Sequence, residues 1–248
     1  MKGNDWFEDE DFWTSYASLM FDEAHWAEVP EAVDSILKLT GVASGVPVLD
    51  ACCGVGRHSL EFASRGFPVT GIDLTRPYLE AAVESAGAAG LDIEFLHADL
   101  REFSRPGAFG LCVNLFTSFG YFATPGEDLA ALSKCASNLA PGGKFVLETA
   151  GKETQARDFI EGEWFERNGW TVLTEFSVVG AWEGLRNRWV LLKGAERIDR
   201  SFTLRLYSAL EMRSILERAG FSRVEIYGAL DGRPYDQNAI SLVAVAQK

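Results

Sequence analysis

Histidine is scarce, with three in 248 residues. His25, His58 and His97 lie far apart, and Cys52, Cys53, Cys112 and Cys135 form no Cys-x-x-Cys spacing. That excludes a zinc cluster of the usual spacing, and no metal is expected. Adjacent Cys52 and Cys53 point in opposing directions along an extended chain and are poor disulfide partners. A reduced, cytoplasmic setting is expected. Positive charge is also short. Lys and Arg number 23 against 36 Asp and Glu, a net charge of -13, and no basic run occurs. A nucleic-acid binder needs cations to displace phosphate counterions, so no nucleic-acid partner is expected. Long apolar runs are missing too. The longest uncharged stretch, 106–126, is interrupted throughout by Pro, Gly, Asn, Ser and Thr, so no membrane span is expected. Residues 1–11 are acidic instead of basic and then apolar, which is not the pattern of a signal peptide.

What remains is an ordinary globular composition, 47% hydrophobic and 24% charged, long enough for one large domain with an insertion. Residues 1–40 are rich in aromatics and carboxylates, and Val33, Ile36, Leu37 and Thr40 recur at helical spacing before Gly41. They predict a helical N-terminal arm. From Val46 the pattern alternates strand and helix. The predicted strands are 46–51, 68–72, 93–96, 111–116 and 144–149, with helices between them. One helix carries Leu79, Ala82, Val83 and Ala86 on one face. Another opens at the capping box Thr124-Pro125-Gly126-Glu127, and Pro141-Gly142-Gly143 reads as a turn.

Residues 151–206 break this rhythm. Alternation at Trp170, Val172, Thr174, Phe176 and Val178, and at Ile198, Phe202 and Leu204, with 188–192 between, predicts a three-stranded antiparallel insertion. The pattern resumes with a capping box at Ser208 and Glu211, a helix closed by Gly220, and strands at 224–227 and 240–246. The expected fold is α/β: a Rossmann-like, seven-stranded, mostly parallel sheet with helices on both faces. The divisions are an arm (1–40), a main domain (41–150 with 207–248) and the β insertion (151–206). The insertion would cover a substrate site or form a dimer surface, which leaves a homodimer open.

In such sheets ligands bind beyond the carboxyl ends of the strands, at the switch in strand order. Asp50, Asp73, Asp99 and Asn114 all fall at or just past strand ends, each on a different strand. The turn Asp50-Ala51-Cys52-Cys53-Gly54-Val55-Gly56 ends the first strand. A dinucleotide site would want a third glycine where Ser59 stands. A carboxylate at Asp50 also suits a ligand bearing ammonium and hydroxyl groups better than a pyrophosphate.

With these residues in view, the chain resembles the class I S-adenosylmethionine-dependent methyltransferases, in particular bacterial members acting on small molecules. The resemblance rests on 48–56, Gly71-Ile72-Asp73-Leu74, His97-Ala98-Asp99-Leu100, Pro141-Gly142-Gly143, Ala219-Gly220-Phe221 and the stretch 115–122. Two departures stand out: Cys52 replaces a usual glycine, and Gly110 follows Phe109 where the family often has Asp.

The resemblance implies S-adenosylmethionine as cofactor, S-adenosylhomocysteine as product, and in-line displacement of the methyl group onto a small-molecule acceptor. It implies that Gly54 and Gly56 let the backbone approach the methionine part, beside Ala51 and Cys52. Asp50 would lie near the amino group, and Asp73, with Leu74 next to it, would take the ribose diol. Asp99 and Leu100 would meet adenine, and Asn114, with Leu115, the methionine ammonium. Tyr16 and Trp26 are expected to close over the cofactor. Tyr121 is expected on the acceptor side, with His25 and His58 as candidate bases and His97 as a packing residue. The loop containing Arg233-Pro234-Tyr235-Asp236 reads as solvated. Alternatives are an RNA or protein methyltransferase and a non-catalytic S-adenosylmethionine-binding module.

Overall fold

The computed structural model describes residues 6–248, and the first five positions of the arm lie outside it. A short turn at Trp6–Glu8 leads into α1 (Glu10–Met20), α2 (Glu23–Ala27) and α3 (Val29–Thr40). Aspartates start the first two helices. The Asp9 carboxylate accepts from the Asp11 and Phe12 amides, and Asp22 accepts from the His25 amide. Gly41, at φ 62°, closes α3 in the left-handed region.

The main domain then runs β1 (Val48–Ala51), α4 (Arg57–Ser64), β2 (Val69–Asp73), α5 (Arg76–Ala89), β3 (Glu94–His97), β4 (Phe109–Asn114), α6 (Pro125–Asn138) and β5 (Leu139–Thr149). After the insertion come α8 (Ala209–Ala219), β10 (Arg223–Tyr227) and β11 (Leu242–Gln247). The sheet order is β3-β2-β1-β4-β5-β11-β10, and only β11 runs against the others. β1 pairs in parallel with both β2 and β4, so the strand order reverses there and a crevice opens at their carboxyl ends.

Both faces of the sheet are buried, as the near-continuous apolar strands require. Leu49, Cys112 and Leu147 face α6 and α8, packing on Leu132, Met212 and Leu216. Val48, Leu111, Val113 and Val146 face the other way, onto Val33 and Ile36 of α3 and Phe62 of α4. Full burial of each such aliphatic or aromatic side chain is worth about 1.5–3 kcal/mol. This core fixes the strand ends, and through them the site.

Between β5 and α8 lie α7 (Lys152–Arg157) and four antiparallel strands: β6 (Gly162–Arg167), β7 (Trp170–Val179), β8 (Gly184–Lys193) and β9 (Glu196–Arg205). The three-stranded expectation is therefore short by one strand. β6 is an exposed edge strand in which only Phe165 is partly buried, so it carries no readable alternation. The face of this sheet bearing Val172 and Leu191 packs on Phe12, Tyr16 and Leu19 of α1, so arm and insertion share a second small core.

Other corrections are local. Val83 lies 56% exposed, off the buried stripe of α5. The last strand begins at Leu242, since Ile240 points to solvent. Pro141-Gly142-Gly143 lies within β5 as an irregularity, with Gly142 at φ 79° and a register shift against β4 between Phe109 and Leu111.

Candidate active site

The turn after β1 is tightly wound. Cys52 (φ 64°), Gly54 (φ 56°) and Gly56 (φ 78°) are all left-handed. For Cys52 that conformation costs roughly 1–2 kcal/mol, so replacement of the usual glycine is not neutral to the backbone. A Cβ on Gly54 would come within 3.3 Å of the Phe21 ring. A Cβ on Gly56 would meet Ala82 and Phe95, both at 3.0 Å. Gly56 therefore serves the packing of α4 onto α5 and β3, and it does not line the cleft.

Above this turn lies a cleft enclosing about 1110 Å³, counted out to its open mouth. Asp50, Asp73 and Asp99 all open onto it, with Cys52, Gly54, Leu74, Leu100 and Leu115. Asp50 is 2% exposed and accepts a 2.6 Å hydrogen bond from the Ser59 hydroxyl. Burial pushes its carboxyl up to about 6. Asp73 accepts from the Gly54 and Thr75 amides, both at 2.8 Å. Burial pushes its carboxyl up from the ordinary carboxylate range too, and the two amides pull it part of the way back. Asp99 accepts from the Arg101 amide at 2.7 Å and from its guanidinium at 2.6–3.1 Å. That guanidinium stacks between Phe122 and Phe7, 4.7 and 5.4 Å from the ring centroids.

The opposite wall comes from the arm and from the loop after β4. Phe116 (φ 56°) and Thr117 (φ 58°) are consecutive left-handed residues without being glycines, a strain of the kind that collects at working sites. The Glu148 carboxylate and carbonyl hold their amides, and Phe116 lines the cleft. Tyr121 lines it as well, against the rings of Trp6 and Trp13 at 4.7 and 5.9 Å. Burial raises the Tyr121 hydroxyl well above its ordinary range, so it stays protonated.

The candidate bases separate. His58 lines the cleft, but burial and the adjacent Arg57 charge hold its imidazole down to about 3. It is neutral and a poor proton acceptor at physiological pH. His25 is absent from the cleft wall. Its Nδ1 sits 2.6 Å from Asp22, and its ring meets Phe116 edge-on at 5.2 Å.

Several expected residues are elsewhere. Tyr16 is buried between arm and insertion, its hydroxyl donating to the Trp189 carbonyl at 3.1 Å. A buried phenol needs such a partner, and β8 supplies it away from the cleft. Trp26 is 37% exposed and lines nothing here. Ala51 lies inside β1, and its carbonyl accepts from Asn114 Nδ2 at 3.0 Å. Asn114 Oδ1 is buried without a partner, and its side chain stays behind the cleft wall. His97 is exposed at the end of β3, its Nε2 2.9 Å from the Leu74 carbonyl, and so is no packing residue. In the polar loop, Arg233 pairs with Asp231 at the surface.

Sequence reading missed Arg57, Phe116, Ser59, Arg101 and the arm aromatics Phe7, Trp13 and Phe21. Only Arg57 and Ser59 carried a local signal, since both follow the glycine turn on the first turn of α4. Among the described residues no group of three or more His, Cys, Asp or Glu could hold a metal ion.

A family model described as "Methyltransferase domain" matches residues 48–143, the stretch that builds the turn and the strand ends above. The dTDP-3-amino-3,4,6-trideoxy-alpha-D-glucopyranose N,N-dimethyltransferase of Streptomyces venezuelae is 31% identical over 147 residues, 59% of this chain and 60% of the relative. Thus the chain spans under two thirds of that protein's length. The S-adenosylmethionine-bound structure of CalS10, an amino pentose methyltransferase from Micromonospora echinaspora, superposes with a TM-score of 0.67 at 25% identity, covering 95% of both chains. Residues 48–143 thus match a methyltransferase domain, and the chain is similar to S-adenosylmethionine-dependent methyltransferases.

The family's fold extends over nearly the whole molecule. An S-adenosylmethionine-dependent methyltransferase from Clostridium acetobutylicum superposes with a TM-score of 0.78 over 96% of this chain and 97% of its own, at 13% identity. The cleft's donor set fits the family's cofactor. Three carboxylates offer acceptors to an adenine amine, a ribose diol and an ammonium group. The rings of Phe21, Tyr78 and Phe116 line the same cleft.

Proposed function

We propose that this protein transfers a methyl group from S-adenosylmethionine to a small-molecule acceptor. The carrying observation is that carboxylates from three successive strand ends, Asp50, Asp73 and Asp99, open onto one largely apolar cleft at the switch in strand order. When bound, the cofactor supplies an electrophilic methyl on a sulfonium cation. Asp73 accepts from its ribose hydroxyls while its remaining lone pairs hold the Gly54 and Thr75 amides. Asp99 and the Leu100 backbone meet the adenine edge, and Arg101 holds the Asp99 carboxylate in place. Asp50 faces the ammonium group. Leu74 and Leu115 supply apolar wall.

The acceptor enters on the Tyr121 side. The packing of α1 on β7 and β8, and of Tyr121 on Trp6 and Trp13, supports a reading in which arm and insertion together cover that side and exclude water. The protonated Tyr121 hydroxyl orients a polar acceptor. A neutral amine has a lone pair ready and needs no base before attack. An amine acceptor is supported by the sugar N-methylation named for the Streptomyces venezuelae relative.

The test is calorimetric binding of S-adenosylhomocysteine to the wild type and to Asp73→Asn, with a thermal melt of each. Micromolar binding in the wild type and at least tenfold weaker binding in a folded Asp73→Asn are expected. Unchanged affinity in that variant would refute the assignment.

A further inference from the structure

The β insertion ends on Arg205, and the loop after β4 that carries Tyr121 is fastened to it. The backbones meet first: the Arg205 amide donates to the Gly120 carbonyl at 2.8 Å. Gly120 is left-handed at φ 92°, and a Cβ there would stand 2.5 Å from the Arg205 carbonyl oxygen. Only glycine allows that approach. The Arg205 side chain then reaches the far side of the loop. Its Nη2 donates to the Phe122 and Ala123 carbonyls at 3.1 and 2.9 Å, and its Nε donates to Asp128 at 2.8 Å. Asp128 is fully buried on α6, and Tyr207 donates to the same oxygen. One guanidinium thus spans a carboxylate of α6 and two loop carbonyls, a use of its planar fork that an ammonium cannot copy. Ala123 is exposed, so water could satisfy its carbonyl. What the guanidinium adds is a fixed loop. Between the two anchored points stands Tyr121, against Trp6 and Trp13 of the arm and the cluster of Leu185, Leu204 and Leu206 in and just after the insertion.

We infer that Arg205 is a positioning residue for methyl transfer, setting Tyr121 on the acceptor side of the cleft while leaving the donor side alone. This rests on the function proposed above. The donor-side carboxylates Asp50 and Asp73 are held by Ser59 and by the Gly54 and Thr75 amides, none of which belongs to the loop. The insertion therefore acts on the acceptor side through Arg205 as well as by covering it.

The test uses protein labelled with 3-fluorotyrosine, in which six tyrosines give fluorine NMR lines and Tyr121→Phe assigns the one in question. Arg205→Lys keeps a positive charge beside Asp128 and loses the fork. Its Tyr121 line is expected to move toward that of free 3-fluorotyrosine as the ring leaves Trp6 and Trp13, while the Tyr16 and Tyr78 lines stay. Gly120→Ala, which leaves Arg205 and Asp128 in place, should move the same line. In Arg205→Lys, S-adenosylhomocysteine affinity should stay within about threefold of wild type. In methylation of a panel of primary amines, KM for the amine should rise roughly tenfold, the loss of one oriented hydrogen bond. A Tyr121 line that stays put in Arg205→Lys overturns the inference, as does an unchanged KM for the amine. So does movement of the Tyr16 and Tyr78 lines together with that of Tyr121, which marks a general loosening. Wild-type protein that binds no S-adenosylhomocysteine, or methylates no amine, sinks the parent reading instead, and the fluorine lines still decide what Arg205 holds.

Discussion

Asp50 is kept buried at a cost to the unliganded fold, and Asp50→Asn should expose that cost. Its carboxyl rises from the ordinary 3.8 to about 6, chiefly through desolvation. Between those values the folded protein holds a proton that the unfolded chain releases. Stability from this group is therefore full below 3.8, falls as pH rises, and levels off above 6. The ionised folded state is disfavoured by about 3 kcal/mol at pH 8 and by about half that at pH 5. Asparagine removes the charge and keeps one oxygen for the Ser59 hydroxyl, losing about 1 kcal/mol of hydrogen bonding. The net gain is about 2 kcal/mol at pH 8, or roughly 4–8 °C in Tm for a domain of this size, and near zero at pH 5. Thermal melts of ligand-free wild type and variant at both pH values measure it, and S-adenosylhomocysteine binding should weaken in the same variant. A gain of equal size at both pH values, or a lower Tm for the variant at pH 8, would refute the reasoning.

Two further outcomes test the walls of the site. Arg205 Nε donates to Asp128 at 2.8 Å, its Nη2 to the Phe122 and Ala123 carbonyls, and Tyr207 donates to the same Asp128 oxygen at 2.6 Å. Arg205→Met strands a fully buried carboxylate and should cost about 3–5 kcal/mol in urea unfolding, with Asp128→Asn in the same chain restoring part of it. His58, held to about 3, is neutral across the working range. His58→Asn should therefore leave the shape of kcat/KM against pH unchanged between pH 6 and 9. Loss of a limb in that window would restore His58 as a base.

Much of the fold was legible because strand and helix periods repeat and are punctuated by glycine and capping boxes. Thr124 with Glu127, and Ser208 with Glu211, form the reciprocal caps their spacing predicts. Edges were less legible. β6 buries one side of one residue, so no pattern marks it, and Val83 carries a core-like side chain that its place on α5 leaves in water. Aromatic density in the arm signalled an apolar surface without saying which partner would cover it. Tyr16 went to the insertion, whereas Phe7, Trp13 and Phe21 went to the cleft.

The order of residues by itself determined the alternating main domain, the glycine turn after β1, and the placing of acidic groups just past strand ends. These are local matters of period, sterics and chain chemistry. Only the tertiary structure decided that Arg101 stacks between Phe7 and Phe122, that Asn114 faces Ala51 and not the cleft, and that Arg57 is buried with its guanidinium on the His25 carbonyl and the Phe21 and Phe116 rings. Each depends on which groups distant in sequence arrive alongside, and burial then multiplies the consequence. A charge costs little in water wherever it stands, but in a dry cleft its effect is set by its neighbours.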